Sequence, residues 1–166
     1  MKEIPKSEAL HKMASQYPDL DIRAVEAMLW IFRLSGELER ALEIHLTRWG
    51  ISRGRFLVLI ALYKAENHEL NPSTLAEEID VTRGNMTGLV DNLEKDGLIR
   101  RESNDKDRRR YTVILTKKGA KFLEKLLPDH FKRIANTFKK LGAKDQENLV
   151  SLLQKLESGL DFIRSP

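Results

Sequence analysis

The sequence predicts a mainly α-helical fold with a small β wing, a helix-turn-helix and hairpin set among long flanking helices. Three observations carry that expectation. Apolar residues recur at three- and four-residue steps over most of the chain, the period of amphipathic helices. Between Leu98 and Leu115 the period falls to two, as in a pair of short strands. From Asn71 to Gly119 the order is helix, tight turn, helix, strand, arginine-rich loop and strand, ending where another helix begins.

The elements follow in chain order. Residues 1–18 form a short arm that ends at Pro18. A long helix runs from about Ile22 to Trp49 with Val25, Met28, Leu29, Phe32, Leu38, Ala41 and Leu42 in phase, and Gly50 stops it. At 1.5 Å per residue it spans roughly 40 Å, long for so small a domain to cover by itself. A second helix, Arg53 to Ala65, carries Phe56, Leu57, Leu59, Ile60 and Tyr63. Asn71-Pro72 opens the third, with Asn71 as N-cap and Pro72 in the first turn, where its missing N–H costs nothing. Asp80-Val81 makes the tight turn. Thr82 caps the helix that follows, whose inward residues are Met86, Leu89, Val90 and Leu93, and Gly97 is its left-handed C-cap.

Leu98 and Ile99 begin a strand, Asn104 to Arg110 forms the hairpin loop, and Tyr111, Val113 and Leu115 alternate on the returning strand. Thr116 caps a helix that keeps its phase through Pro128, which reads as a kink. Gly142 separates it from a last helix, Lys144 to Ile163, striped by Leu149, Leu152, Leu153, Leu156, Leu160 and Ile163. The expected architecture is a winged helix-turn-helix embedded in a helical dimerisation frame. Residues 1–50 supply the arm and long helix of the frame, 51–119 the winged helix-turn-helix, and 120–166 the C-terminal helices of the frame. Apolar-striped helices at both ends of the chain suit a two-fold homodimer.

With 166 residues and 41% hydrophobic content there is material for a core, in one domain or one domain with helical extensions. The net charge of +4 suits a polyanionic partner only weakly, but its distribution is sharper. Residues 1–50 hold 7 basic and 8 acidic residues, net -1, whereas Leu98 to Lys118 hold 8 and 3, net +5. Cysteine is absent, which excludes disulfides, thiol redox sensing and cysteine-ligated metals. No apolar run approaches the roughly 20 residues needed to cross a bilayer, and the first residues resemble no signal peptide. The expected location is the cytoplasm, away from the membrane. His11, His45, His68 and His130 form no close-spaced ligand pair, so neither metal nor other cofactor is expected, and no nucleophile with a paired base points to an enzyme.

Double-stranded DNA is the partner that this order of elements fits. Once the core takes Met86, Leu89, Val90 and Leu93, the opposite face of that helix presents Arg83, Gly84, Asn85, Thr87 and Gly88, with Asp91 and Asn92 further along. Asn85 can pair with adenine, and Arg83 can reach guanine or a phosphate. Thr87 offers a hydroxyl to phosphate or base and a methyl to thymine, and Thr82 can add a phosphate contact to its cap. The two glycines weaken the helix but permit close approach of the backbone to the groove. In the loop, Arg108, Arg109 and Arg110 repel one another and give a core nothing. The expected minor-groove group is Arg109, braced by Asp107, with Arg108 and Arg110 as phosphate contacts or supports. Lys117 and Lys118 sit at the helix end that disfavours cations, so they either face phosphates or are ordinary solvated lysines.

The run LNPSTLAEEIDVTRGNMTGLVDNLEKDGLIRRESNDKDRRRYTVILTKKG resembles the MarR family of bacterial winged-helix transcription regulators. The likeness is strongest in VTRGNMTGLVDNLEKDGLI and in DKDRRRYTVILTKKG, with its Asp-x-Arg pattern followed by Leu-Thr, and extends over about residues 22–163. It implies a homodimer on pseudo-palindromic promoter DNA, often a repressor released by a small aromatic or phenolic anion. The family's wing arginine and its aspartate fall on Arg109 and Asp107, and its recognition-helix contacts on Thr82, Arg83, Asn85 and Thr87. Gly84 and Gly88 depart from the pattern, where many members carry an alanine or polar residue and an arginine. A cleft for an aromatic carboxylate or phenol is expected among Trp30, Arg33, His45, Arg48, Trp49, Arg53 and Arg55, which mix aromatics with cations. The other readings are a winged-helix DNA-binding protein without an effector, constitutive or architectural, and a winged helix turned to protein interaction. The wing arginines speak against the last.

Overall fold

The computed structural model describes the backbone of residues 7–104 and 107–165 and the side chains of residues 10–102 and 111–165. It divides into two compact units, Met1–Thr116 and Lys117–Pro166.

In the first unit, α1 (Ser7–Ala14) precedes the long α2 (Ile22–Thr47). Asp21 caps α2, its carboxylate accepting from the backbone N–H groups of Arg23 at 2.9 Å and Ala24 at 3.3 Å. The backbone bonds from Ala24 and then Arg23 hold the Asp21 carboxyl below its ordinary range, because they favour the charged form. The helix gives way to a turn two residues before the expected Trp49, and Gly50 follows at φ 71°. α3 (Arg53–Lys64) begins against α2, since Glu43 of α2 accepts from the Arg53 backbone N–H at 3.0 Å. A short 3-10 turn (Glu66–His68) leads to β1 (Glu69–Leu70), a strand the sequence reading did not anticipate.

The helix-turn-helix is α4 (Pro72–Glu78) and α5 (Arg83–Lys95). Asn71 caps α4 through its side-chain oxygen, which accepts from Thr74 N at 2.9 Å. At the turn Asp80 adopts φ 52°, and Val81 N donates back to Ala76 O at 3.0 Å. α5 ends in the same way. Gly97 takes φ 70°, Leu98 N bonds Leu93 O at 3.0 Å, and Gly97 N bonds Glu94 O at 2.8 Å, which closes a Schellman motif.

The wing is β2 (Ile99–Asn104) and β3 (Asp107–Leu115), and the sheet order is β1-β3-β2, antiparallel throughout. β3 starts three residues before the expected loop ends. Asn104 pairs with Asp107, and the next pair is Ser103 with Tyr111. The backbone of Arg108, Arg109 and Arg110 therefore lies in a register shift with no residue opposite it on β2, so what was expected as loop is bulged strand. Thr116 closes the unit, its hydroxyl donating to Gly97 O at 2.8 Å and Leu98 O at 3.0 Å. The core is Leu46, Ile51, Val58, Leu59, Leu62, Leu75, Met86, Val90, Leu93, Ile99 and Val113, all at most 2% exposed.

The second unit contains α6 (Lys117–Thr137), which runs through Pro128, α7 (Ala143–Glu157) and α8 (Asp161–Arg164). The last helix was expected to be continuous. Instead Ser158 Oγ donates to Lys155 O at 2.7 Å and Gly159 N to Leu156 O at 2.9 Å, tightening the chain into a turn where glycine favours helix least. Leu123 and Leu126 of α6 are buried. The stripe of α7 and α8 is instead largely exposed: Leu152 is 61% and Phe162 90% accessible, and Leu153, Leu156 and Ile163 also face outward. No helix among the described residues is long and apolar enough to cross a membrane.

Candidate nucleic-acid interface

The recognition face forms because α5 is amphipathic with its first turn left free. Met86, Val90 and Leu93 are buried, and Leu89 fits closely over the residue that begins α3's second position, its Cδ2 lying 3.0 Å from where a Cβ on Gly54 would sit. Everything on the opposite side, Thr82 to Asn85 with Thr87 and Gly88, is exposed. The Thr82 hydroxyl accepts from Asn85 N at 3.3 Å, as expected of the cap. Arg83 and Thr87 line an open cleft of about 190 Å³ with Pro72, Ser73 and Met86, so the starts of α4 and α5 share one concavity. A Cβ added at Gly84 or Gly88 would meet nothing within 4 Å. The fold itself places no steric demand for glycine there, and the missing side chains leave bare helix on the outer surface.

Two hydrogen bonds narrow what this face can read. Thr87 Oγ1 donates to Arg83 O at 3.1 Å, the usual back-bond of a helical threonine. While that bond holds, the hydroxyl can accept from a base amino group but cannot donate to a phosphate. Asn92 Nδ2 is similarly held by Gly88 O at 2.8 Å, whereas the exposed Asn85 side chain is the better candidate for a base edge.

Beside α5, the wing is tied down by a residue the sequence reading passed over. Arg101 of β2 forms an ion pair with Asp91 of α5 through Nη2, and its Nε lies 3.3 Å from Glu94 Oε2. Glu94 also accepts from the Arg101 backbone N–H at 3.0 Å. The guanidinium stands 5.0 Å from the Tyr111 ring centroid on β3. Desolvation works against the Arg101 charge, but the bond to Asp91 and the fields of Tyr111, Glu94 and Asp91 outweigh it and raise its pKa. A signal for this existed. Strand alternation puts Arg101 in phase with the buried Ile99, opposite the buried Val113, where a cation needs acids near it. Asp91, expected on the groove-facing side, is thus engaged by Arg101. Asp107, Arg108, Arg109 and Arg110 have backbone on β3, but their side chains lie outside the described residues.

Among the residues expected around an aromatic anion, Trp30 and Arg33 lie far from His45 and Arg48. Trp30 is exposed in mid-α2, with the Arg33 guanidinium 5.7 Å from its ring centroid. His45, buried, and Arg48, exposed, lie roughly 20 Å further along the same helix axis. Trp49 is half-buried in the turn after it. Arg53 lies 3.9 Å from Glu39, and Arg55 forms an ion pair with Asp96 at the end of α5. The latter joins α3 to the recognition helix.

A helix-turn-helix whose second helix is exposed at its tip, with the two-stranded wing of a three-stranded sheet clamped beside it, defines the winged helix-turn-helix class. Residues 49–110 match the MarR family. Over 164 residues the chain is 31% identical to the HTH-type transcriptional repressor YetL of Bacillus subtilis (strain 168), spanning 99% of this chain and 98% of that protein. It is also 31% identical over 157 residues to the transcriptional repressor MprA of Escherichia coli (strain K12), covering 95% and 89% of the two chains. Among solved structures, that of Sco3205, a MarR family transcriptional regulator from Streptomyces coelicolor in complex with DNA, aligns with a TM-score of 0.72 at 28% identity, over 82% of this chain and 88% of the other. The chain belongs to the MarR family of transcription regulators, and as such is a regulator rather than an enzyme.

Proposed function

We propose that this protein is a homodimeric repressor that acts in the cytoplasm on pseudo-palindromic promoter DNA. The tip of α5 enters the major groove and the β2–β3 wing the adjacent minor groove. The observation that carries the reading is the exposed face from Thr82 to Gly88, polar and cleared of side chains at two glycines, next to a strand bearing three consecutive arginines. Arg83, Asn85 and Thr87 are the base and phosphate contacts, with Thr82 adding a phosphate contact. Arg109, braced by Asp107, is the minor-groove group, and Arg108 and Arg110 meet phosphates. The repressor names of YetL and MprA and the DNA bound to Sco3205 support this assignment. Residues 51–119 are the DNA-binding region, and 1–50 with 120–166 form the dimer frame, which the exposed apolar side chains of α7 and α8 support.

Release by a small aromatic or phenolic anion completes the reading. An effector-free regulator is the alternative, and one observation favours it: Trp30 and Arg33 are distant from His45 and Arg48, and Arg55 is taken by Asp96. Selection of preferred duplexes from a random pool, repeated with a panel of aromatic acids, tests both. The expected result is an inverted repeat whose half-sites lie about one DNA turn, roughly 34 Å, apart. If scrambled duplexes compete as well as selected ones, sequence-specific regulation is wrong. If no acid weakens binding, the effector-free form stands.

A further inference from the structure

We infer that Arg101 is a positioning residue that locks the wing to the recognition helix, so that major-groove and minor-groove contacts are made in one fixed register. This rests on the proposed DNA-binding role of α5 and the wing.

The geometry has three parts. The Arg101 guanidinium reaches two carboxylates one helical turn apart on α5, Asp91 and Glu94, while its backbone N–H donates to Glu94. Its guanidinium carbon lies over the Tyr111 ring, which is diagonal to it across the β2–β3 ladder, Arg101 being paired with Val113 and Tyr111 with Ser103. One side chain therefore touches α5, β2 and β3 together. Tyr111 is also the residue at which the regular ladder stops, and the three arginines of the shifted segment follow directly toward the tip. Whatever holds Tyr111 against β2 sets where that segment starts.

The same contact has an electrostatic consequence. Asp91 and Glu94 lie on the recognition helix with side chains 56% and 39% exposed, and two acids there would repel DNA phosphate. Pairing with Arg101, itself 27% exposed, offsets that repulsion. Lysine replaces it only in part, because a compact ammonium lacks the planar fork that reaches two carboxylates while standing over a ring.

The test is a double-mutant cycle on the selected duplex, with groove-specific footprints. Arg101→Gln should weaken binding about 10- to 100-fold, the size of losing one arginine contact. Arg101→Lys should fall between it and the parent. Hydroxyl-radical protection at the wing's minor-groove positions should disappear, while protection of guanine N7 against dimethyl sulfate in the major groove stays. Arg101→Gln should cost much less in the Arg109→Ala background than in the parent, because most of its effect passes through the wing and only the unpairing of Asp91 and Glu94 remains. If the two losses multiply, or if Arg101→Gln keeps its minor-groove footprint while Arg109→Ala loses it, the positioning role is wrong and the wing assignment survives. If Arg109→Ala itself binds and protects like the parent, the wing assignment fails and takes this role with it. The Asp91→Asn/Glu94→Gln variant probes the acceptor side, and thermal melts accompany each protein. It should lose the minor-groove footprint although it removes two charges that repel DNA. Retention of the footprint would overturn the clamp.

Discussion

At the residue scale, glycines 84 and 88 separate folding from function. Gly84 sits in the first turn of α5 and Gly88 in its interior, both with open space where a side chain would go, so alanine fits without strain. Gly88→Ala should stabilise the protein by about 0.5–1 kcal/mol through helix propensity, and Gly84→Ala, in the first turn, by less. If bare backbone is needed at the groove, both should weaken operator binding at the same time. A rise in melting temperature with unchanged affinity would show that the glycines do not serve DNA contact. Arg109→Ala is the complementary change. It should lower affinity at least about tenfold with little effect on the melt, as titration by fluorescence anisotropy would show. Replacing Asn85 should alter base preference at one half-site position more than overall affinity, which repeating the duplex selection would reveal.

At the element scale, the helix ends are where local rules are strongest. Gly97 combines φ 70° with both bonds of a Schellman motif. Gly97→Ala should cost about 1–2 kcal/mol in chemical denaturation, because a Cβ is disfavoured in the left-handed region. Asp21 adds a pH-dependent case. Its folded carboxyl is depressed by the Ala24 and Arg23 backbone bonds, so its contribution is present above the ordinary aspartate range and is lost as pH falls through the folded value. Asp21→Ala should therefore lower the melting temperature at neutral pH, and the difference from the parent should shrink in acid. A constant difference would mean that the charge on the cap is not what matters.

Caps, turns and the wing's alternation were legible in the sequence for this reason. Asn71, Asp80, Thr82 and Gly97 each act on backbone groups within a few residues. β1 was not legible, since Glu69 and Leu70 become a strand only by meeting Ile114 and Val113. The break after α7 was missed because the leucine stripe continues in phase across it, and periodicity does not report a local turn at Gly159.

For the whole molecule, Leu152, Leu153 and Leu156 of α7 and Phe162 and Ile163 of α8 are all exposed, an apolar surface that a second copy of the chain would cover. Sedimentation should give twice 19.2 kDa. Leu152→Glu with Leu156→Glu should shift the protein to monomer and reduce DNA affinity, and their exposure within the chain means that the helix itself should survive. A mass of 19.2 kDa for the parent at micromolar concentration would rule out the dimer.

The sequence by itself determined the helix-turn-helix, the capped start of α5, the positive charge gathered in the wing and the family. All of these are written in residue type at fixed local spacing. Only the tertiary structure decided that Arg101 binds Asp91 and Glu94 and that Arg55 pairs with Asp96. Side-chain pairing between elements depends on which faces the core brings together, and one sequence read along its length does not specify that.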